Sequence, residues 1–269
     1  MTSLILTEPL IGDIWIQIVK TCSQLRIGDF IVRDFEDDDL EDFRDHKHVH
    51  EHLEDLTFET RHCSVSVFDI LSMFDFPALV CLDLRTEDNG DVCVAPISSK
   101  AFRSLVVDGG WDSDTSLQVL ADFLRQCSNL EDLTLSSVSP KFSSPELSPL
   151  FTAMSLGLGS PTFLPNLAVL NICFSDDPLV FDTVAFSEMI KTRLRLDVDN
   201  FVCQLLKKVF IYVPRCNRHA GVLERMKTLM SLDSVSHQSV ILTDLWGHWS
   251  LGRPRESPYY DWNYVVHVK

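Results

Sequence analysis

A pattern of three apolar residues, spaced as L-x-x-L-x-L, recurs six times along the 269-residue chain while the polar residues between them change. Successive copies start 26, 23, 28, 37 and 39 residues apart. A weaker copy, Ile27, Phe30 and Val32, starts 26 residues before the first of them. The six copies are Leu53, Leu56 and Phe58; Leu79, Leu82 and Leu84; Phe102, Leu105 and Val107; Leu130, Leu133 and Leu135; Leu167, Leu170 and Ile172; and Leu206, Val209 and Ile211. This recurrence predicts an array of similar units that stack on one another.

Each copy predicts one short strand. Alternate side chains of a strand face the same way, so the second and third apolar residues point into a core and their neighbours point away from it. The first apolar residue lies one turn earlier and covers the end of that core. A single unit cannot bury its own apolar edge, so about three or more stacked units are needed for stability.

Between the strands the apolar period lengthens from two to nearly four, which predicts helices. The clearest helical stripe follows Asp114, a residue suited to capping a first turn. The helical positions are Leu117, Leu120, Phe123, Leu124 and Cys127; Phe68, Leu71, Met73 and Phe74; and Ala185, Phe186, Met189 and Ile190 after Asp182. The predicted fold class is an α/β solenoid, with parallel strands on the concave side and helices and loops on the convex side.

The repeated units resemble a known family. Fungal F-box proteins carry divergent leucine-rich repeats behind the F-box, and residues 25–235 resemble them in HLEDLTFETRH, ALVCLDLRT, AFRSLVVDGG, NLEDLTLSSV and NLAVLNICF. The resemblance implies an irregular leucine-rich-repeat solenoid. It also implies a non-enzymatic protein-protein interaction module, the substrate-recognition region of an F-box subunit of a cullin-type ubiquitin ligase.

The chain departs from that family pattern in two places. The asparagine usual three residues after the last core position is replaced by Arg61, Glu87, Gly110, Val138, Ser175 and Pro214, which predicts irregular curvature. Residues 1–24 are too few for an F-box, and their apolar positions predict an N-terminal helical cap. That apolar face comprises Ile11, Ile14, Trp15, Ile18, Val19 and Cys22.

Three interpretations of the missing F-box stay open. It is lost, it lies upstream in a longer gene of which this chain is a truncated model, or the chain is a structural or degenerate repeat protein with no ligase role. A Skp-type adaptor is expected to bind only if an F-box lies upstream. A small-molecule receptor of the repeat type would need a closed polar pocket, which the pattern does not predict.

Two further segments differ from the repeats. Residues 136–165 are rich in serine and proline, which predicts a loose loop on the convex or edge side. Its Ser-Pro steps, at Ser139, Ser144, Ser148 and Ser160, offer phosphorylation as an alternative role. Residues 236–269 hold three of the five tryptophans, which predicts an aromatic C-terminal cap or an exposed binding cluster.

Composition and charge narrow the classes of partner. With 45% apolar residues, a mean hydropathy of +0.08 and no membrane-length apolar run, the chain is expected to be cytoplasmic or nuclear, without a membrane partner. The eight cysteines form no C-x-x-C pair and are expected to be reduced and packed. The net charge of −16 argues against nucleic acid, because binding phosphates requires the opposite sign.

Candidate chemistry outside the repeats is weak. The alternating His46, His48, His50 and His52 could hold zinc, but their acidic flanks favour a surface loop. The acidic run at residues 36–45 lacks the glycine and glutamate spacing of a calcium loop. No nucleophile, base and orienting residue recur at a known spacing, so the sequence predicts no catalytic site, no metal and no cofactor.

The predicted binding residues are those that interleave with the core leucines, because alternation points them away from the core. They should contact a protein partner on the concave face. They are Asp55, Thr57, Glu59, Asp83, Arg85, Ser104, Val106, Asp108, Asp132, Thr134, Ser136, Asn171, Lys208, Phe210 and Tyr212. Their charge predicts that the early strands are acidic and the last one basic and aromatic.

Overall fold

The structure is a computed structural model, and it describes residues 1–35, 47–63, 67–86, 99–109, 114–138, 147–155, 163–174, 183–194, 206–212, 240–243 and 265–268. The helices are α1 (Gly12–Thr21), α2 (Val67–Ser72), α3 (Asp114–Gln126), α4 (Ser148–Met154) and α5 (Thr183–Leu194). The strands are β1 (Ser3–Ile5), β2 (Leu10–Ile11), β3 (Ile27–Arg33), β4 (His48–Val49), β5 (Asp55–Arg61), β6 (Phe74–Asp75), β7 (Cys81–Thr86), β8 (Ser104–Asp108), β9 (Asp132–Val138), β10 (Val169–Phe174), β11 (Lys208–Tyr212), β12 (Val240–Thr243) and β13 (Val265–Val268).

One sheet of nine strands organises the described part of the chain. Its order is β1-β3-β5-β7-β8-β9-β10-β11, with β2 also beside β3, and all of these pairs are parallel. The strands β5, β7, β8, β9, β10 and β11 thus join the sheet in chain order. The short strands β4 and β6 pair with each other in a separate sheet. The class is α/β with a mostly parallel, open sheet, which confirms that part of the prediction.

The apolar positions of the six copies line up across this sheet. Leu56, Leu82, Leu105, Leu133, Leu170 and Val209 occupy one row, and Phe58, Leu84, Val107, Leu135, Ile172 and Ile211 occupy the next. Every one of these side chains that the structure describes is buried, and so is the first apolar residue of each copy. The predicted strand register of the six copies is therefore confirmed.

A single backbone motif recurs where each strand begins. The carbonyl of Glu54 accepts hydrogen bonds from the N–H groups of Val80 at 2.8 Å and Cys81 at 3.0 Å. The same double acceptance is made by the carbonyls of Thr2, Arg26, Val80, Arg103, Glu131 and Ala168. The strands consequently start in line although the intervals between copies range from 23 to 39 residues.

The weak first copy lies in a register different from the predicted one. The prediction placed Ile27, Phe30 and Val32 in the positions of the later leucines. Pairing of β3 with β5 instead puts Gly28 beside the middle core residue of the next copy and Phe30 beside the last. The equivalent core residues are Leu25, Gly28 and Phe30, so the prediction was wrong by two residues.

A glycine in the place of a leucine explains this shift. A Cβ atom on Gly28 would lie 2.5 Å from Cε2 of Phe30, so the Phe30 ring fills the space of the missing side chain. Ile27, predicted as a core residue, lies instead on the opposite face of the sheet beside Asp55 and is 43% exposed.

The N-terminal cap is more than the predicted helix. β1 and β2, which precede α1 in the chain, both pair with β3. Residues 1–24 therefore extend the sheet as well as cover it. Strands of two or three residues are too short to show a period, which is why the pattern did not reveal them.

The buried face of α1 also differs from the prediction. Trp15, Ile16 and Val19 are buried, whereas Ile11 and Ile14 are 45% and 44% exposed. Trp15 sets this orientation because its ring packs among aromatic rings of the sheet and of β6. The rings are Phe58, Phe74 and Phe30, with centroids 4.6, 5.1 and 6.4 Å away.

The serine- and proline-rich segment contains regular structure, which corrects the predicted loop at residues 136–165. β9 continues to Val138, and α4 occupies residues 148–154 with Leu150, Phe151 and Met154 buried. The ring of Phe151 contacts that of Phe186 in α5, with centroids 5.2 Å apart.

A buried arginine holds the end of α4 in place. Arg193 of α5 is fully buried and donates hydrogen bonds to the carbonyl of Met154 at 2.7 Å and of Leu164 at 2.8 Å, and to that of Phe163. These bonds join the end of α4 and residues 163–164 to α5.

The predicted helices at α3 and α5 are confirmed, and their apolar residues share one core with the strands. The helices thus cover the apolar face of the sheet. No helix in the described ranges is long and apolar enough to cross a membrane.

Several predictions lie outside the described residues: the acidic run at 36–45, His46, Ser139, Ser144, Ser160 and the aromatic residues of 244–264. From the predicted C-terminal cap, β12 and β13 form an antiparallel pair and β13 contacts β11.

Candidate protein-binding face

The sheet has a second face, here called the polar face, formed by residues that alternate with the core residues in β1, β3, β5 and β7 to β11. Its first row comprises Ser3, Ile27, Asp55, Cys81, Ser104, Asp132, Val169 and Lys208. The second comprises Ile5, Asp29, Thr57, Asp83, Val106, Thr134, Asn171 and Phe210. The third comprises Ile31, Glu59, Arg85, Asp108 and Ser136, with Cys173 and Tyr212 paired beyond an irregularity in β10. All of the predicted binding residues have their positions on this face.

Three of those residues are buried, which corrects the expectation that alternation alone exposes them. Glu59, Thr134 and Asn171 are 8%, 3% and 6% exposed. Side chains in neighbouring parallel strands stand only about 4.8 Å apart, so a row of them covers its own members. These three side chains contact their neighbours in the sheet and have little surface left for a partner.

A hydrogen-bond network explains the burial at β9 and β10. The Asn171 amide Nδ2 donates to Thr134 Oγ1 at 2.8 Å and to Asp132 Oδ1 at 3.2 Å. Burial raises the pKa of Asp132, an effect that the charge of Lys208 opposes. This part of the polar face satisfies its polar groups internally.

Arginine partners neutralise two further acids. Arg85 donates to Asp83 through Nε at 3.1 Å and Nη2 at 2.5 Å, and this bond raises the pKa of the guanidinium. Arg61 pairs in the same way with the largely buried carboxylate of Glu59. In both cases the partners are two residues apart on one strand and therefore on one face.

Asp29 and Asp55 differ from these acids. In the described part of the chain neither carboxylate has an ion-pair partner. Partial burial raises the pKa of Asp55, and the nearby charges of Asp83 and Asp29 raise it further. This end of the face therefore carries negative charge that no described cation pairs with.

Exposed isoleucines border these two acids. Ile5 of β1 stands beside Asp29 and is 40% exposed, and Ile27 stands beside Asp55. The prediction missed Ile5, Ile27 and Asp29. Asp29 was within reach of the same alternation rule, because a register error of two residues leaves it pointing away from the core, but the rule was applied only to the six stronger copies.

Three thiols, Cys81 and Cys173 on the polar face and Cys127 in the core after α3, are held in their protonated form. Burial raises the pKa of Cys173 to about 12, with a contribution from Asp108, and burial alone does the same for Cys127. Burial together with Asp55 and Asp132 also raises the pKa of Cys81. Protonated thiols are poor nucleophiles and poor metal ligands.

The described histidines are separated by their contacts. The His48 ring packs edge-on against Phe74, with centroids 5.9 Å apart, while His50 Nε2 donates to the Cys22 carbonyl at 3.1 Å and His52 is exposed. Burial, with the charges of Lys20 and His50, lowers the pKa of His48. Within the described ranges, no three histidine, cysteine, aspartate or glutamate residues are grouped as a metal site.

The polar face thus offers carboxylates, hydroxyls and exposed aliphatic side chains along a row of strands. These groups suit ion pairing, hydrogen bonding and apolar contact with an extended partner. Comparisons of the chain with protein-family models, with curated proteins and with solved structures give no match.

Proposed function

We propose that this chain is a protein-protein interaction module built as an irregular leucine-rich-repeat solenoid, and that it binds a protein partner over the polar face. The observation that carries the proposal is the in-register ladder of parallel strands, apolar and covered by helices on one side, polar and uncovered by any described helix on the other. Such a face is long, continuous and made from side chains that vary from strand to strand.

The recurring backbone motif supports the repeat architecture. Insertions of very different length between strands leave the double acceptance at each strand entrance unchanged. Side chains tie successive turns as well: Asn129 Nδ2 donates to the Lys100 carbonyl and Asn166 Nδ2 to the Ser128 carbonyl, each at 2.9 Å. These bonds fall at the strand entrance, so they differ in position from the asparagines of regular repeats.

The ligase role is proposed from the resemblance to fungal F-box proteins. On this proposal the partner is a substrate awaiting ubiquitination, and the protein acts in the cytoplasm or nucleus. The chain itself uses no cofactor and performs no catalysis. Contact with a Skp-type adaptor requires an F-box upstream, so the purified chain is expected not to co-purify with the adaptor. Stoichiometric co-purification would overturn that part of the proposal.

The binding face is tested with a partner captured by proximity labelling and then purified. Phe210→Ala and Lys208→Glu, at polar-face positions of β11, should weaken binding by about 1 to 2 kcal/mol or more, because aromatic side chains are common interface anchors and a reversed charge repels the group that Lys208 would pair with. The matched controls are Asp122→Asn and Glu188→Gln, exposed on helices α3 and α5. If only the helix variants alter affinity, the polar face is not the binding surface.

A further inference from the structure

The carboxylates of Asp83, Glu59 and Asp132 on the polar face each have a side-chain partner. Asp83 and Glu59 are held by Arg85 and Arg61, and Asp132 accepts from Asn171. At the strand entrances Arg26 pairs with Glu54 and Arg103 with Glu131, so charge is matched there too.

The β1, β3 and β5 end is the exception. The carboxylates of Asp29 and Asp55 have no cation partner in the described ranges. The two nearest arginines along β3 are bonded elsewhere, Arg26 to Glu54 at 2.6 and 2.7 Å and Arg33 to Asp34 at 3.6 Å. Two acids without a cation partner among the described residues thus lie on neighbouring strands of the polar face.

The same end also exposes apolar side chains. Ile5 and Ile27 are 40% and 43% exposed and alternate with the acids, since Ile27 neighbours Asp55 across one strand pair and Ile5 neighbours Asp29 across another. Neighbouring strands lie about 4.8 Å apart and alternate residues of one strand about 6.6 Å apart. Two adjacent side chains of a bound partner can therefore contact one isoleucine and one aspartate of this end at the same time.

We infer that this N-terminal patch, formed by Ile5, Ile27, Asp29 and Asp55, binds a basic, amphipathic segment of a protein partner. Lysine or arginine side chains of the segment pair with Asp29 and Asp55, and aliphatic side chains cover Ile5 and Ile27. Charge complementarity selects this occupant, and the long apolar stems of lysine and arginine add contact with the isoleucines. The inference rests on the proposed function and names the chemistry of the partner.

The test uses a labelled peptide, KSVSKSVSK, which places lysine and valine on one face of an extended chain. Fluorescence anisotropy at low salt measures its binding to the full chain. Control peptides are KSSSKSSSK, which keeps the charge without valine, and ESVSESVSE, which reverses the charge. The inference expects the first peptide to bind at least fivefold more tightly than either control.

Protein variants locate the binding. Asp29→Asn with Asp55→Asn, and separately Ile5→Ser with Ile27→Ser, should each weaken KSVSKSVSK at least fivefold. Asp122→Asn with Glu188→Gln changes charge equally but lies on the helices, and should alter affinity less than twofold. Should the serine variant fail to fold, the KSSSKSSSK peptide tests the aliphatic contact on the unaltered chain.

The contrary results are distinct. Absence of peptide binding, equal binding of ESVSESVSE, or equal losses in the helix variants overturns the inference. If the patch variants abolish self-association in sedimentation, the occupant is a second copy and the inference is also wrong. Loss of the inference leaves the proposed function standing if Phe210→Ala and Lys208→Glu still weaken a captured partner. If KSVSKSVSK binds as expected but Phe210→Ala and Lys208→Glu leave the affinity for the captured partner unchanged, the N-terminal patch is a binding site and the proposal that the partner covers the whole polar face is wrong.

Discussion

The two ends of the polar face use carboxylates in opposite ways. At β9 and β10, Asp132 accepts a bond from Asn171 and the network closes on itself. At β3 and β5, Asp29 and Asp55 lie beside exposed isoleucines with no cation partner in the described ranges. The same parallel ladder therefore produces a self-satisfied surface or an unsatisfied one, according to which residues its register sets side by side.

The largest expected effect tests whether both ends rest on the same core. Leu56→Ala and Leu170→Ala should each lower the free energy of unfolding by about 2 to 5 kcal/mol, because both side chains are fully buried. Urea melts measure this, with the exposed Ile14→Ala on α1 as a control expected to cost less than about 0.5 kcal/mol. Midpoints equal to the parent would refute the register.

A smaller effect distinguishes the networked end. Asn171→Leu removes the donor to Asp132 and Thr134 and should cost about 1 to 3 kcal/mol, because Thr134 is buried and Asp132 half-buried, so both acceptors lose a partner where water has little access. Thr57→Ala, in the same row but half-buried, is the control. An equal loss in both variants would mean that the Asn171 network contributes nothing particular to stability.

The unsatisfied end should respond to pH in a defined direction. The pKa of Asp55 is raised above its ordinary value of 3.8, so the folded chain holds this proton more tightly than the unfolded chain. Its stabilising contribution is present below pH 3.8 and is lost as pH rises through the raised value. Asp55→Asn removes this dependence.

Melts of Asp55→Asn and the parent across that pH range check the sign. The variant should gain stability relative to the parent as pH rises. A gain that shrinks with rising pH would show that a cation neutralises Asp55 in the folded chain.

The apolar rows of the sheet are predictable from the sequence because each copy places leucine or a similar residue at the three core positions. The register of Leu133 and Leu170 follows directly from that spacing. The alternation rule likewise identifies the polar face, since side-chain direction in a strand depends only on position. These features follow from local pattern.

Other features depend on contacts that pattern does not carry. Gly28 takes the place of a leucine because the Phe30 ring fills its space, and this hides the first register. The burial of Asn171 and Glu59 depends on neighbours across the sheet. By contrast, α4 was within reach of the sequence, because Leu147, Leu150, Phe151 and Met154 have helical spacing inside the serine-rich segment.

The smallest effect concerns association kinetics. Neutralising Asp29 and Asp55 should slow association with a basic partner at low salt, because exposed charges steer encounter. The difference in association rate from the parent should shrink as the salt concentration rises, because the screening length becomes shorter. Surface plasmon resonance at several salt concentrations measures this, and a difference independent of salt would contradict electrostatic steering.

Carboxylate footprinting determines whether a partner binds at the β1 to β5 end of the polar face. Carbodiimide coupling read by mass spectrometry compares Asp29 and Asp55 with Asp132 in the free and partner-bound chain. Asp29 and Asp55 should be modified faster than Asp132 in the free chain and become protected on binding. Equal rates in the free chain, or protection of Asp122 and Glu188 on the helices instead, would contradict binding at this end.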